Sequence, residues 1–187
     1  MQFIYRLLDY CWYLNIVKRI RYYLDDQYGN YKRLIVISHG SGIHFETDLN
    51  NYFDNLDQSG MSLMIYQDDE LIFQSRSKGI RPHLEAIEKH GKNLKDTVIV
   101  DKIVGRAAAL LILYNEPKEV YAALVSKPGK QVLQENGLKF TFKDETDQIK
   151  MKDGRIFCPF ERMVQGINDP EEAYTAIVEK MKILSSK

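Results

Sequence analysis

The strongest pattern along the chain is a short apolar run that leads directly into an alanine-rich segment. Residues 97–100 are strand-forming, and residues 107–113 consist of alanine, leucine and isoleucine. A wholly apolar strand followed at once by a helix is typical of a parallel sheet buried on both faces. The charged turn predicted between them, from Asp101 to Gly105, then lies at the carboxyl end of a central strand, where open α/β sheets bind ligands.

Other apolar runs predict four further strands around this unit. Two of them flank the polar turn Gln67-Asp68-Asp69 and indicate an antiparallel hairpin. The two later runs each follow a helical segment, which is typical of parallel strands joined by crossovers. The fold class is therefore α/β, a three-layer α/β/α sandwich with a mixed five-stranded sheet and crossover helices on both faces. The strands are predicted at residues 61–66, 70–74, 97–100, 119–124 and 138–142.

Start and stop signals delimit the helices. Proline at a first helical position opens helices at Pro82, Pro128 and Pro159, and glycine ends the first two of these. Thr47 is a candidate cap for an earlier helix. The polar stretch 143–155 is expected to form an exposed loop or lid. Besides the alanine-rich helix, helices are predicted at residues 48–56, 82–90, 128–136, from 159 onward, and 171–184.

Residues 1–46 are predicted to be an extension to the main domain, residues 47–185. A broad aromatic stripe over residues 2–24 favours an amphipathic helix. Four interpretations stay open for this helix: it docks on the domain, it binds a partner, it lies on a membrane surface, or its start codon is misassigned and it is poorly ordered. No run reaches the roughly 18 uncharged residues that a spanning helix needs, so no transmembrane segment is predicted.

Composition narrows the class of protein. The chain has 187 residues, of which 44% are hydrophobic and 28% charged, and this suits one globular domain with an appendage. Its 26 basic and 26 acidic residues cancel, so a broad basic face for nucleic acid is not expected. Two cysteines provide no disulfide framework, which favours a reducing, cytoplasmic location. The hairpin edge and the aromatic N-terminal segment are candidate surfaces for a homodimer.

Two stretches carry residues suited to catalysis. Asp101, followed by Lys102, is placed to hold a ligand hydroxyl or act as a base, and the alternative is an N-cap of the alanine-rich helix. Cys158 precedes Pro159 at a helix start, where the helix dipole favours the thiolate. The alternative there is a capping box, in which the Glu161 carboxylate accepts a hydrogen bond from the backbone of Cys158.

A third stretch, residues 75–81, is rich in cations. It contains Arg76, Lys78 and Arg81 around a flexible Gly79, and a helix N-terminus follows at Pro82. Cationic side chains together with free backbone N–H groups suit a phosphate or a carboxylate. The alternative is a solvated basic turn.

Two familiar motifs are incomplete. His39-Gly40-Ser41-Gly42 resembles the oxyanion loop of esterases, but no Gly-x-Ser-x-Gly elbow accompanies it, and a glycine-rich turn after the candidate strand 34–37 is the better interpretation. Zinc deaminases need a His-x-Glu or Cys-x-Glu and a Pro-Cys-x-x-Cys at two helix starts. The chain has Asp101-Lys102-Ile103 and a single cysteine there, and His83 and His90 are expected at the surface. No metal site and no cofactor are predicted.

In four segments the chain resembles the prokaryotic proteins of domain of unknown function 1893. The resemblance implies a cytidine-deaminase-like fold that lacks the zinc ligands and in which two helix N-termini face one pocket. The segments are Gly79-Ile80-Arg81-Pro82, Asp101 to Leu111, Cys158-Pro159-Phe160-Glu161 and Asn168 to Tyr174, within a match from about Asp48 to Leu184. The implied pocket positions are Asp101, Lys102, Gly105, Cys158 and Glu161, with a glycine-rich turn at Gly79.

These features predict one of two functions. The first is a zinc-free domain that binds a small nucleotide-like or phosphate-bearing molecule at two helix N-termini. The second is a cysteine-dependent enzyme in which Cys158 is the nucleophile and Asp101 its base or orienting residue. The ligand-binding residues predicted for the first function are Arg76, Lys78, Gly79, Arg81, Lys102, Gly105 and Glu161.

Overall fold

The computed structural model describes the chain in five stretches. These are residues 20–25, 31–39, 42–47, 50–149 and 159–185. The chain divides into two compact units, Met1–Asn51 and Tyr52–Lys187. Among the described residues, no helix has the length and apolar character needed to cross a membrane.

The first unit contains an antiparallel sheet of three strands in the order β1-β2-β3. These strands are β1 (Ile20–Asp25), β2 (Tyr31–His39) and β3 (Gly42–Thr47). The strand predicted at 34–37 is confirmed within β2. The helix predicted over residues 2–24 is wrong at its end, because residues 20–24 pair with β2. Ile20, Tyr22 and Tyr23 are β-branched or aromatic residues, which favour a strand there. Residues 1–19 lie outside the described part.

The second unit contains the predicted mixed sheet of five strands, in the order β5-β4-β6-β7-β8. Strand β4 is antiparallel to both β5 and β6, whereas β6, β7 and β8 are parallel. The predicted hairpin is confirmed, and its turn residues Asp68 and Asp69 have positive φ angles of 49° and 66°. The strands are β4 (Leu63–Gln67), β5 (Glu70–Ser75), β6 (Val98–Val104), β7 (Glu119–Ser126) and β8 (Phe140–Thr146).

Six α-helices and one short 3-10 helix, Gly91–Leu94, lie in the described residues. Proline stands in the first turn of α2 and α4, as predicted. Gly91 ends α2, and the helix predicted from Pro159 is confirmed. The α-helices are α1 (Asn50–Ser59), α2 (Arg81–His90), α3 (Arg106–Tyr114), α4 (Lys127–Glu135), α5 (Pro159–Met163) and α6 (Pro170–Ser185).

Helices cover both faces of the sheet, but not in the way predicted. Strands β6, β7 and β8 follow one another in one direction across the sheet, so both right-handed crossovers place α3 and α4 on the same face. That face is the main core, to which α2 and α6 also contribute. The opposite face packs against α1, whose Phe53 and Leu56 contact Val100 and Tyr121. The three-layer α/β/α sandwich is therefore confirmed, while crossovers on both faces are not.

Two strands are longer than the apolar pattern indicated. Strand β6 continues through Asp101 to Val104, so the charged turn predicted from Asp101 onward is wrong. Strand β8 continues to Thr146, so the first residues of the loop predicted at 143–155 are in the sheet. In both cases hydrogen bonds to β7 maintain a strand through polar residues. Residues 150–158 lie outside the described part.

Candidate ligand-binding site

A cavity of about 310 Å³ lies where the three parallel strands β6, β7 and β8 end. Each crossover contributes to its wall from the residues that directly follow or finish a strand, and the turn after α5 closes it. This is the sheet edge at which α/β proteins bind ligands. Its lining residues are Arg106, Ser126, Pro128, Gln148, Ile149, Glu161, Gln165 and Gly166.

Glu161 on α5 provides the carboxylate of this cavity and at the same time caps α3. Its Oε2 atom accepts a hydrogen bond from the backbone N–H of Arg106 at 2.8 Å, and its Oε1 atom accepts one from Ala107 at 2.9 Å. The N-cap residue of α3, Gly105, has no side chain with which to do this. A carboxylate is favoured at this end of a helix by the dipole and the free amides. The anion-binding position of α3 is thus filled from within the chain.

Burial raises the pKa of Glu161 above its ordinary value. The two backbone N–H donors and the nearby Arg106 guanidinium act in the opposite direction and lower the pKa only in part. The ionised carboxylate therefore lacks part of the solvation it would have in water. Such a carboxylate gains from any further donor that reaches it.

Two glycines allow the close approach of the helix starts around the cavity. A Cβ atom on Gly105 would collide with the Glu161 carboxylate. A Cβ atom on Gly129 would lie 2.7 Å from the carbonyl oxygen of Val104, a backbone atom that cannot rotate away. The buried Ser126 caps α4, since its Oγ atom accepts a hydrogen bond from the Gly129 N–H at 3.1 Å. The N-termini of α3 and α4 therefore lie side by side, and each is already capped.

Arg106 fastens the segment that carries Glu161. Its Nε atom donates to the carbonyl of Val164 at 3.0 Å, and one Nη atom donates to Ile167 O at 2.7 Å and Asn168 Oδ1 at 2.6 Å. Arg106 was not among the predicted site residues. The sequence indicates that Arg106 lies in the first turn of an alanine-rich helix. It does not indicate the hydrogen-bond partners of Arg106, which lie about 60 residues later in the chain.

Asp101 forms a buried pair with a residue that the sequence placed at the surface. The Nε2 atom of His83 lies 2.8 Å from Oδ2 of Asp101, and the two residues are only 2% and 6% exposed. The other carboxylate oxygen accepts a hydrogen bond from the N–H of Ile103 at 3.0 Å. The expectation that His83 is a surface residue is wrong, because α2 packs over β6 and buries it. The N-cap interpretation of Asp101 is also wrong, since the residue lies inside a strand.

The predicted catalytic pair stays a prediction. Cys158 lies outside the described residues, and so does any capping box that involves it. Asp101 has both carboxylate oxygens engaged and does not line the cavity. Lys102 is exposed on β6 and does not line the cavity either.

The predicted cationic loop lies apart from the cavity. The Ser75 and Ser77 hydroxyls each donate to the Glu85 carboxylate at 2.6 Å, which fixes the loop to α2. Arg76 donates to the carbonyl of Ser59 at 3.2 Å, and Arg81 lines a separate groove of about 680 Å³ between α2 and α6. Lys78 and Gly79 are exposed. Of the nine predicted site residues, Glu161 lines the cavity and Gly105 borders its carboxylate.

The fold and the cavity define the class of protein, an α/β sandwich domain with a cavity at the N-termini of its crossover helices. The chain belongs to the DUF1893 family (domain of unknown function 1893), whose profile matches residues 52–181. It is similar to the crystal structure of a DUF1893 family protein (TM1506) from Thermotoga maritima, with 32% identity and a TM-score of 0.66. That similarity covers 77% of this chain and 97% of the other.

More distant similarities add little. Two crystal forms of RibD from Acinetobacter baumannii match with 17% identity and a TM-score of 0.37, over 44% of this chain and 28% of theirs. A likeness at this level carries no argument about fold or reaction. No curated protein matches the chain. In the described part of the chain, no group of three or more His, Cys, Asp and Glu side chains is arranged to hold a metal ion.

Proposed function

We propose that this domain binds a small nucleotide-like molecule, without zinc, in the cavity between the N-termini of α3 and α4. The observation that carries the proposal is the cavity itself, a concave site of about 310 Å³ at the carboxyl ends of parallel strands. Ligand pockets in proteins span roughly 300–1,000 Å³. This volume is at the low end of that range and suits a single heterocycle better than a large cofactor.

The chemistry of the lining supports a polar, hydrogen-bonding guest. Glu161 provides a carboxylate, and Gln148 and Gln165 provide amides, while Ile149 and Pro128 add apolar surface. A few convergent polar groups in a partly apolar cleft are typical of small-molecule sites.

A phosphate group on this ligand fits the mouth of the cavity better than its interior. Inside, the amides at the start of α3 are occupied by Glu161, and its carboxylate would repel a second anion. Outside, Lys127 lies in sequence between the lining residues Ser126 and Pro128 and pairs with Asp147 at 2.7 Å, with both side chains mostly exposed. Exposed ion pairs are weak, so Lys127 is available to exchange its partner for a phosphate.

Calorimetric titration with a panel of nucleosides and nucleotides tests the proposal. We expect at least one nucleotide to bind, and we expect Gln165→Trp to abolish binding because the indole ring fills the cavity. Gln134→Trp, on an exposed position of α4 away from the cavity, is the matched control and should leave binding unchanged. Binding that is unaffected by Gln165→Trp, or absent throughout the panel at millimolar concentration, would contradict the proposal. Metal analysis of the bound protein checks the absence of zinc.

A further inference from the structure

The Glu161 carboxylate retains hydrogen-bonding capacity toward the cavity. A carboxylate has about four lone-pair positions, and the two amides of α3 use two of them. Because Glu161 lines the cavity, the remaining positions are within reach of a guest. The Ser126 hydroxyl oxygen already accepts from Gly129.

Among the described residues, the guanidinium that acts on Glu161, that of Arg106, is directed elsewhere. The Arg106 guanidinium donates to two backbone carbonyls and an amide oxygen of the α5–α6 turn. The other described lining residues, from the start of α4, from the segment after β8 and from the turn after α5, are uncharged. The outward side of the Glu161 carboxylate therefore offers acceptors with no described cation bound to them.

We propose that the part of the ligand entering the cavity presents an N–H donor edge to Glu161, as in an amidine or a lactam, and is neutral or cationic. This inference rests on the proposed function, since it names the chemical class that the same cavity takes. A hydrogen bond from N–H to an ionised carboxylate is about twice as strong as one between neutral groups. It would also compensate the burial that raises the pKa of Glu161. An anionic group at the same place would meet only a like charge.

Benzamidine and benzoate are a matched pair of probes, because they share one ring and differ in a planar group that either donates N–H bonds or carries negative charge. We expect benzamidine to bind with an affinity about tenfold or more above that of benzoate, as one charge-assisted hydrogen bond predicts. Ligand-observed NMR titration measures both at millimolar concentration. Glu161→Gln should remove the preference, whereas Glu179→Gln, at an exposed position of α6, should retain it.

A pH titration of the unmodified protein gives a second measurement that needs no folded variant. The preference for benzamidine should fall as the pH is lowered through the titration of Glu161, since the protonated carboxyl loses its charge. In the part of the chain that the structure describes, the other charged groups next to lining residues are Arg106 on α3 and the pair of Lys127 and Asp147. None of these provides a carboxylate to the lining.

The outcomes separate this inference from the proposed function. Equal or tighter binding of benzoate, or a preference that Glu161→Gln and low pH both leave unchanged, would overturn the donor-edge inference while nucleotide binding in the cavity stands. Nucleotide binding that ignores Gln165→Trp would instead remove the cavity as the site, whatever the probes do. A probe preference lost in both Gln165→Trp and Glu161→Gln supports the two together.

Discussion

At the scale of single residues, Glu161 stabilises the start of a helix to which it does not belong. Two of the amides that begin α3 have no partner within that helix, and its N-cap is a glycine. The carboxylate from α5 satisfies them at 2.8 and 2.9 Å. The same side chain supplies the acceptor of the cavity. One residue thus connects the stability of the helix with the chemistry of the candidate site.

Glu161→Gln should change how stability depends on pH. The folded state raises the pKa of Glu161, so it holds the proton more firmly than the unfolded chain does, and folding gains from this below the usual pKa of a glutamate. The gain is lost as the pH rises through the raised pKa. The quantity to compare is the difference in free energy of unfolding between the native protein and Glu161→Gln. We expect this difference to fall as the pH rises from about 4 toward neutrality. Urea denaturation at a series of pH values measures it, and a pH-independent difference would contradict it.

Substitution of His83 should lower the stability of the fold markedly, because His83 pairs with Asp101 in the interior. Neither residue lines the cavity. Removal of one partner leaves a buried polar group unsatisfied, which costs about 1–3 kcal/mol, or more if the group is charged. We expect His83→Ala to lower the free energy of unfolding by at least this amount. Glu88→Ala, at an exposed position of the same helix, is the control. A loss for His83→Ala no greater than that of the control in urea denaturation would show that the pair contributes nothing.

At the scale of elements, the cavity depends on the short distance between the N-termini of the two crossover helices α3 and α4. Gly129 in the first turn of α4 lies against the backbone at Val104 and Gly105, where β6 passes into α3. No side chain fits between them. The Ser126 cap and the Glu161 cap then complete two adjacent helix starts, and the space next to them is the cavity.

Gly129→Ala should push these two helix starts apart. The new methyl group meets backbone atoms at 2.7–2.9 Å, and overpacking of this kind typically costs about 1–3 kcal/mol. We expect a lower thermal midpoint and weaker ligand binding together. Gln134→Ala on the exposed side of α4 is the matched control. Unchanged stability would show that α4 moves away from α3 at no cost, and that the close contact at Gly129 does not limit the fold.

At the scale of the whole molecule, the family resemblance and the second compact unit nearly coincide. The family profile covers residues 52–181, and the second unit begins at Tyr52. Among the residues whose side chains the structure describes, those buried on both faces of its sheet belong to this unit. A domain with its own complete core is expected to fold alone. The predicted boundary at residue 47, the cytoplasmic location and the homodimer stay predictions.

The chain shortened to residues 48–187 should therefore fold by itself. We expect one cooperative thermal transition and dispersed amide signals in NMR spectra, because every strand of the five-stranded sheet and both packed faces are retained. The full-length chain is the comparison. A broad, non-cooperative transition of the shortened chain would show that residues 1–47 are required for the fold. Sedimentation of both chains measures the oligomeric state in the same experiment.

Local signals were sufficient for most of the elements. Helix α2 begins beside Pro82 and ends at Gly91, and the hairpin turns at Asp68 and Asp69, as the residue types predicted. Proline, glycine and aspartate restrict or permit particular backbone angles, so their effect needs no distant partner. The predictions failed where polar residues continue a strand, as at Asp101. There a neighbouring strand and His83 on a packed helix decide the conformation.

By itself, the amino-acid sequence determined the order of strands and helices in the second unit, the mixed sheet and the sheet edge at which the cavity lies. These depend on hydrophobic periodicity and on turn residues, both of which act over a few positions. Tertiary structure alone decided that Glu161 reaches amides 55 residues earlier in the chain, and that Asp101 meets His83 across the layer between helix and strand. Such contacts form because the packing of helices and strands brings together residues that are far apart in the sequence. A local pattern of residues does not indicate which distant residues will meet.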